Sequence, residues 1–236
     1  MAGSGKGIFA WLPRVLPKRL LTGFLNAAAI FSSVSDAEIR RHANNNAKFE
    51  TRHRLQWEKT AGYIENQNHC ADLAVGKKDA AYCGCGAIAV YNACLTLETE
   101  RVRAGEEKHG LPALSDLLSE FERDGLLFSG RLGIAPGAIM RVLEKRGYRT
   151  QLCRRRSEWE SFAEGFTSLI LLMYNNSDDI RERIHYIHIA HVDGKYQAHN
   201  VTCDGQVMPP VATWAELKAQ VAQGRAKGIC LIGVKG

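Results

Sequence analysis

The chain has 236 residues, 45% hydrophobic and 24% charged, the balance of an ordinary globular protein with room for one sizeable core or for one domain and an appendage. Its formal net charge of +6 falls before residue 61, where ten Lys and Arg oppose four acids, so the excess describes an N-terminal arm and not a nucleic-acid-binding body. Seven cysteines without framework spacing argue against a disulfide scaffold and for a reducing, cytoplasmic compartment, and no apolar run reaches the roughly 18–20 residues of a membrane span.

The arm, residues 1–60, opens on "GSGKG", which lacks the rest of a phosphate-binding loop and any preceding strand. "LPKRLLTGFLNAAAIFSSVSDA" has the outline of a signal peptide, but Asn26 interrupts its apolar part, which makes secretion the weaker reading. Leu20, Leu21, Phe24, Leu25, Ala28 and Phe31 recur at helical spacing behind Lys18 and Arg19. That pattern predicts a basic amphipathic helix docked on the body, with peripheral contact to an anionic membrane or a partner as the alternative. Ser35 or Asp36 is placed to cap a further helix, whose polar Asn44-Asn45-Asn46 centre predicts a solvated or broken middle.

From residue 61 onward a second region begins. "ENQNHCADLAVGKKDAAYCGCG" has no periodicity and reads as loop. An apolar helix follows from Gly86, then an amphipathic helix in "LPALSDLLSEFERDG" and a third in "APGAIMRVLEKRG", with Pro136 in its first turn and Gly147 past its end. "TSLILLMYNN" predicts a buried strand, and "HYIHIAHVDGKYQAHNV" a hairpin turning at Asp193-Gly194. "TWAELKAQVAQG" predicts a short helix opened by Thr213, and "GICLIGV" a last strand. Helices first and an antiparallel sheet afterwards give an α+β fold.

The chemistry gathers at "AAYCGCGAIAVYNAC". Cys83 and Cys85 are one residue apart, which is neither the Cys-x2–4-Cys of zinc sites nor the Cys-x-x-Cys of a redox pair, and no second ligand pair follows. His185 and His191 share one face of an extended strand while His188 faces the other way, so the histidines do not converge on an ion. No metal or other cofactor is therefore expected. Cys85, between Gly84 and Gly86, stands at the start of the most apolar helix, where free backbone N–H groups and the helix dipole lower a thiol pKa. A buried cysteine is as often only a small core residue. The hairpin adds a base and a partner for it: folding about Asp193-Gly194 is expected to bring His185 and Asn200 level. His188, His191 and His199 are extra histidines on the same hairpin, more naturally structural, and Asp204 is a rival to Asn200. The basic "CRRRSEWE" reads as a solvated face.

Cys, His and Asn in that chain order resemble the papain-like cysteine peptidases. "GCGAIAVYNA" is similar to the nucleophile helix start of their bacterial branch, related to the double-glycine leader peptidases that process bacteriocins, and "HYIHIAHVDGKYQAHN" looks like that branch's His strand, turn and Asp/Asn segment. "LGIAPGAIMRVLEKRG" resembles its second helical block, and the likeness covers residues 66–234. It implies a papain-like domain over 61–236, with an N-terminal helical part whose nucleophile helix packs on a C-terminal antiparallel sheet. Cys85 would be the nucleophile, His185 the base and Asn200 its orienting group, with Cys83 a bystander. The implied reaction is hydrolysis of a peptide or isopeptide bond through a thioester, in a peptide or protein substrate. Acyl transfer, deamidation and a catalytically degenerate binding module are the alternatives. The family's oxyanion Gln six residues before the nucleophile is replaced here by Asp79, whose carboxylate would repel the developing charge. Gln67 is the substitute candidate, with Asn68 and Lys77 behind it. By position alone the 1–60 arm is a candidate prosegment.

Overall fold

A computed structural model describes residues 18–29, 34–58, 61–107, 110–174, 184–202, 205–222 and 228–236. Phe31 and Asp204, both singled out in the sequence, lie outside the described residues. Helix α1 spans Lys18–Ala28 and is docked: Leu21, Leu25 and Ala28 are buried in the main core while Leu20 faces outward. Asn26, the residue that broke the apolar run, accepts the Gly137 N–H at 2.8 Å and so ties this helix to the start of a later one.

Helix α2 runs unbroken over Asp36–Glu58, so of the expected solvated or broken middle the break is absent, while Asn44 and Asn45 are exposed. Ser35 and Glu38 cap it reciprocally, each side chain bonding the other's backbone N–H. Only one of the three central asparagines turns inward. Asn46 is fully buried and pairs with both backbone groups of Ala74, at 2.9 Å each, so its amide acts as a strand partner. His42 adds a buried contact from the same helix to Glu122 at 2.6 Å.

The stretch expected as loop is ordered in small pieces. A 3-10 turn at Gln67–Cys70 leads to β1 (Ala74–Val75), β2 (Lys78–Asp79) and α3 (Ala80–Cys83), and β1 pairs antiparallel with β2. These elements are too short to show a period, which is why the sequence pattern missed them. Helix α4 (Cys85–Arg103) follows, then α5 (Leu114–Arg123), the two-residue strands β3 (Leu126–Leu127) and β4 (Gly133–Ile134), and α6 (Pro136–Glu144) with Pro136 in its first turn.

The rest of the chain builds one antiparallel five-stranded sheet. Its strands are β5 (Arg149–Cys153), β6 (Ser168–Tyr174), β7 (Ile184–Val192), β8 (Lys195–His199) and β9 (Gly228–Lys235), in the order β5-β9-β6-β7-β8. Strand β6 is central and buried along its whole length, which explains its unbroken apolar run. Ile170, Leu172 and Tyr174 point to the main core under α4, and Leu169, Leu171 and Met173 point to a second core on the reverse face. That second core is closed by α7 (Trp159–Ala163) and α8 (Trp214–Ala222), the latter capped reciprocally by Thr213 and Glu216. Trp159 of the "CRRRSEWE" segment is thus buried, while Arg155 beside it pairs with Glu158 on the surface. The fold is α+β, and among the described residues no helix is long and apolar enough to cross a membrane.

Candidate active site

Helix α4 and strand β7 run side by side in the same direction. Thr96 on the helix meets His188 on the strand at 3.4 Å, and Arg103 near the helix end meets Asp193 just past the strand end, also at 3.4 Å. At the opposite end Cys85 and Gly86 open α4, with Gly86 packed against Ile134, whose carbonyl accepts from the Tyr186 hydroxyl of β7 at 3.0 Å. Cys85 and His185 therefore lie at the same end of this pair.

The turn that delivers Cys85 is tightly built. Asp79 accepts the Tyr82 N–H at 2.8 Å and caps α3, so its carboxylate has a structural task there. Gly84 joins α3 to α4, and a Cβ at this position would stand 2.6 Å from the Ala80 carbonyl oxygen. Its φ of −81° needs no glycine; the close backbone packing does. Gly84 provides no side-chain cap for α4, which leaves the first-turn N–H groups of that helix without a capping side chain. Cys85 is buried, at 3% exposure.

Cys83 has a different setting. Its thiol donates to the Asp79 carbonyl at 3.3 Å, and burial first, then the neighbouring Cys85 and carboxylates, push it far up from the ordinary thiol range. Burial likewise pushes Cys94 and Cys230 up to about 12. These thiols stay protonated and inert at neutral pH.

His185 and Asn200 are in contact, though not as expected. The ladder pairs Val192 with Lys195 and His188 with His199, so Asn200 falls two residues short of the position opposite His185. Strand β8 ends at His199, and Asn200 turns the chain with a φ of +58°, swinging its main-chain carbonyl beneath the imidazole. Nε2 of His185 and that carbonyl are 2.8 Å apart. A carbonyl only accepts, so Nε2 carries the proton and Nδ1 is the ring's acceptor. Burial lowers the His185 pKa from the ordinary histidine value, with the Asn200 contact opposing the shift. Strand parity sets His185 with Met173, its partner across β6, and with Ile187, while Tyr186 and His188 face α4. His185 thus stands at the open end of β7, beyond the last pair with β8.

Gln67 links the two halves. Its Oε1 accepts from the Asn200 side chain at 3.3 Å and its Nε2 donates to the Ala81 carbonyl at 2.8 Å. A continuous hydrogen-bonded path thus runs from His185 through Asn200 and Gln67 into the turn before Cys85. Asn68 and Lys77, the other two oxyanion candidates, are exposed.

Three residues that sequence reasoning passed over hold this arrangement. Asn92 on α4 pairs with both backbone groups of Ile64, at 2.9 and 3.1 Å. Glu65, next in the chain, is buried and bonds His199 Nδ1 at 2.6 Å and the Asn200 N–H at 2.9 Å. Tyr63 stacks on His199 with ring centroids 3.8 Å apart. His199 and His188 are thereby structural, and burial together with the His199 charge drives the His188 pKa well below the ordinary value. The only signal in the sequence is the run "YIENQ" itself, polar residues among apolar ones with no local partner. Among the described residues no three His, Cys, Asp or Glu side chains group as a metal site. Comparison with known protein families, curated proteins and solved structures returned no significant match.

Proposed function

We propose that the chain is a papain-like cysteine hydrolase acting on an amide bond of a peptide or protein, with Cys85 as nucleophile, His185 as base and Asn200 as the group that orients it. The observation that carries this reading is the tautomer of His185. With Nε2–H given to the Asn200 carbonyl, Nδ1 is left as the ring's acceptor at the end of β7 nearest the start of α4. Strand parity sets His185 on the Met173 and Ile187 face, so the reading requires that Nδ1 reach Cys85 past the strand end. In the reaction Nδ1 takes the Cys85 thiol proton, the thiolate adds to the substrate carbonyl, and the imidazolium returns the proton to the leaving amine. Water then hydrolyses the thioester. The first-turn N–H groups of α4 face the oxyanion, and Gln67 Nε2 has a second hydrogen beyond the one given to Ala81.

The test is the coupling of the two groups. His185 titration, followed by NMR in the intact chain, should shift when Cys85 is replaced by Ala, and an iodoacetamide-type probe should label Cys85 ahead of the other six thiols. An unchanged His185 titration together with uniform labelling sinks the proposal.

One observation favours a second reading. Cys85 is 3% exposed, and Gln67 is engaged at both ends of its amide. A site closed in this way suits a binding module that has lost catalysis, and it is the correct reading if Cys85→Ala retains full biological activity.

A further inference from the structure

The reverse face of the sheet, away from α4, carries a cavity of about 290 Å³. Leu171, Met173 and Ile189 form its floor, and Trp159, Trp214 and Leu217 its walls. Its volume is at the low end of small-molecule sites, which run from about 300 Å³ upward. Among the described residues the only charged groups lining it are Arg156 and Lys218, both exposed at its rim. Neither makes an ion pair among the described residues.

Two features show that the polar groups here are placed in advance. Arg156 is held by the Gly228 carbonyl, which accepts from Nε at 2.8 Å and from a second guanidinium nitrogen, with the guanidinium carbon 6.0 Å from the Trp159 ring centroid. Gly228 itself is required there, since a Cβ would fall 2.3 Å from the Trp159 ring. Trp159 is 5% exposed, yet its indole Nε1–H has no acceptor among the described residues. A buried donor left unmade is costly, and native structures normally satisfy it with protein, water or ligand.

We propose that this cavity binds a small amphipathic carboxylic acid, its aliphatic or aromatic body on the sheet between the two tryptophans and its carboxylate toward Trp159 Nε1, Arg156 and Lys218. The apolar floor selects the body, and Arg156 and Lys218, the charged groups of the lining among the described residues, select the anionic head. A free small acid is the occupant that the modest volume fits. Cys85 and α4 lie against the opposite face of the sheet, while His185 shares the cavity's face through its cross-strand partner Met173. Cys85 is therefore the position that separates this site from the proposed hydrolase chemistry.

The intact chain is titrated with octanoate and indole-3-acetate, and with octanol and octylamine as neutral and cationic counterparts, by calorimetry and tryptophan fluorescence. Both acids should bind saturably, and the alcohol and amine at least about tenfold more weakly, because only the anion gains charge-assisted hydrogen bonds. Lys218→Glu and Arg156→Gln alter exposed side chains and should leave the melting temperature unchanged while weakening both acids. The Trp159 indole N–H resonance, identified by its loss in Trp159→Phe, should move on addition of acid. Cys85→Ala should bind the acids like the unaltered chain. Equal affinity for octanol and octanoate, no saturable binding of either acid, or unaltered affinity in Lys218→Glu would each overturn the proposal. So would a peptide ending in a free Phe carboxylate that binds more tightly than both acids, since the occupant would then be a peptide terminus.

Discussion

His185 gives its Nε2–H to the main-chain carbonyl of Asn200 at 2.8 Å, while the Asn200 side chain turns away to Gln67. The orienting group of this candidate site is a piece of backbone, fixed in place by a residue at φ +58°. What must be preserved is the left-handed turn and not the amide.

That distinction yields the first prediction. Asn200→Gly keeps the carbonyl and tolerates the positive φ, so it should retain the alkylation rate of Cys85 within a few-fold. His185→Ala removes the base and should lower that rate by about 100-fold or more. Rates measured at neutral pH decide between them. A loss in Asn200→Gly as large as in His185→Ala would return the orienting role to the side-chain amide.

The second prediction concerns the joint before the nucleophile. Gly84→Ala places a methyl group 2.6 Å from the Ala80 carbonyl oxygen and 2.7 Å from the Ala80 Cβ. Backbone cannot yield as a flexible side chain does, so α3 and α4 must separate. We expect about 1–3 kcal/mol of destabilisation, as for other overpacked sites, together with loss of selective labelling at Cys85. Gly86→Ala is the control: its nearest contacts are the Ile134 side chain at 3.1 Å, which can give by a few tenths of an ångström. It should therefore be milder in both respects.

How much of this was legible in the sequence depended on the range of the interaction. The Asp193-Gly194 turn was readable because both residues take positive φ, +53° and +68°, a local demand that the pair meets. The α4 start, the Pro136 helix start and the buried β6 run were readable for the same local reason. The level of Asn200 with His185 was misjudged by two residues, since the ladder centres between 193 and 194 and would set position 202 opposite His185. Of three identical asparagines in α2, only the tertiary position of Ala74 picks out Asn46. Glu65 finds His199 across 134 residues, and nothing near it in the chain announces that partner.

Asn92 carries the third prediction. Its amide satisfies both the N–H and the carbonyl of Ile64, which is almost fully buried, and Tyr63, Glu65 and Gln67 are positioned from that anchor. Asn92→Ala leaves two buried backbone groups unpaired and should cost about 2–4 kcal/mol by chemical denaturation. Asn92→Asp keeps the acceptor for the Ile64 N–H but loses the donor, and should fall between. A cost below about 0.5 kcal/mol for Asn92→Ala, the level of a surface change, would show that Ile64 is held by something else.

The last prediction is a pH dependence set by His188. Its ring lies in the polar pocket between Ser168 Oγ, at 3.0 Å, and Thr96, with His199 stacked beside it at 5.3 Å between centroids. Burial and the His199 charge hold its pKa well below the ordinary value in the folded chain, and burial lowers His185 in the same direction. In the unfolded chain both rings protonate near pH 6.5. Below that pH the unfolded state therefore binds more protons than the folded one, and stability must fall as the pH falls. The slope from His188 alone approaches about 1.4 kcal/mol per pH unit and flattens only once the folded-state pKa is reached. His188→Gln cannot take up the proton, so denaturation followed from pH 7 to pH 5 should lose that part of the slope while the part due to His185 remains. An identical pH dependence in His188→Gln and the unaltered chain would mean that His188 is protonated as easily folded as unfolded, and that its place between Ser168 and Thr96 does not exclude the charged ring.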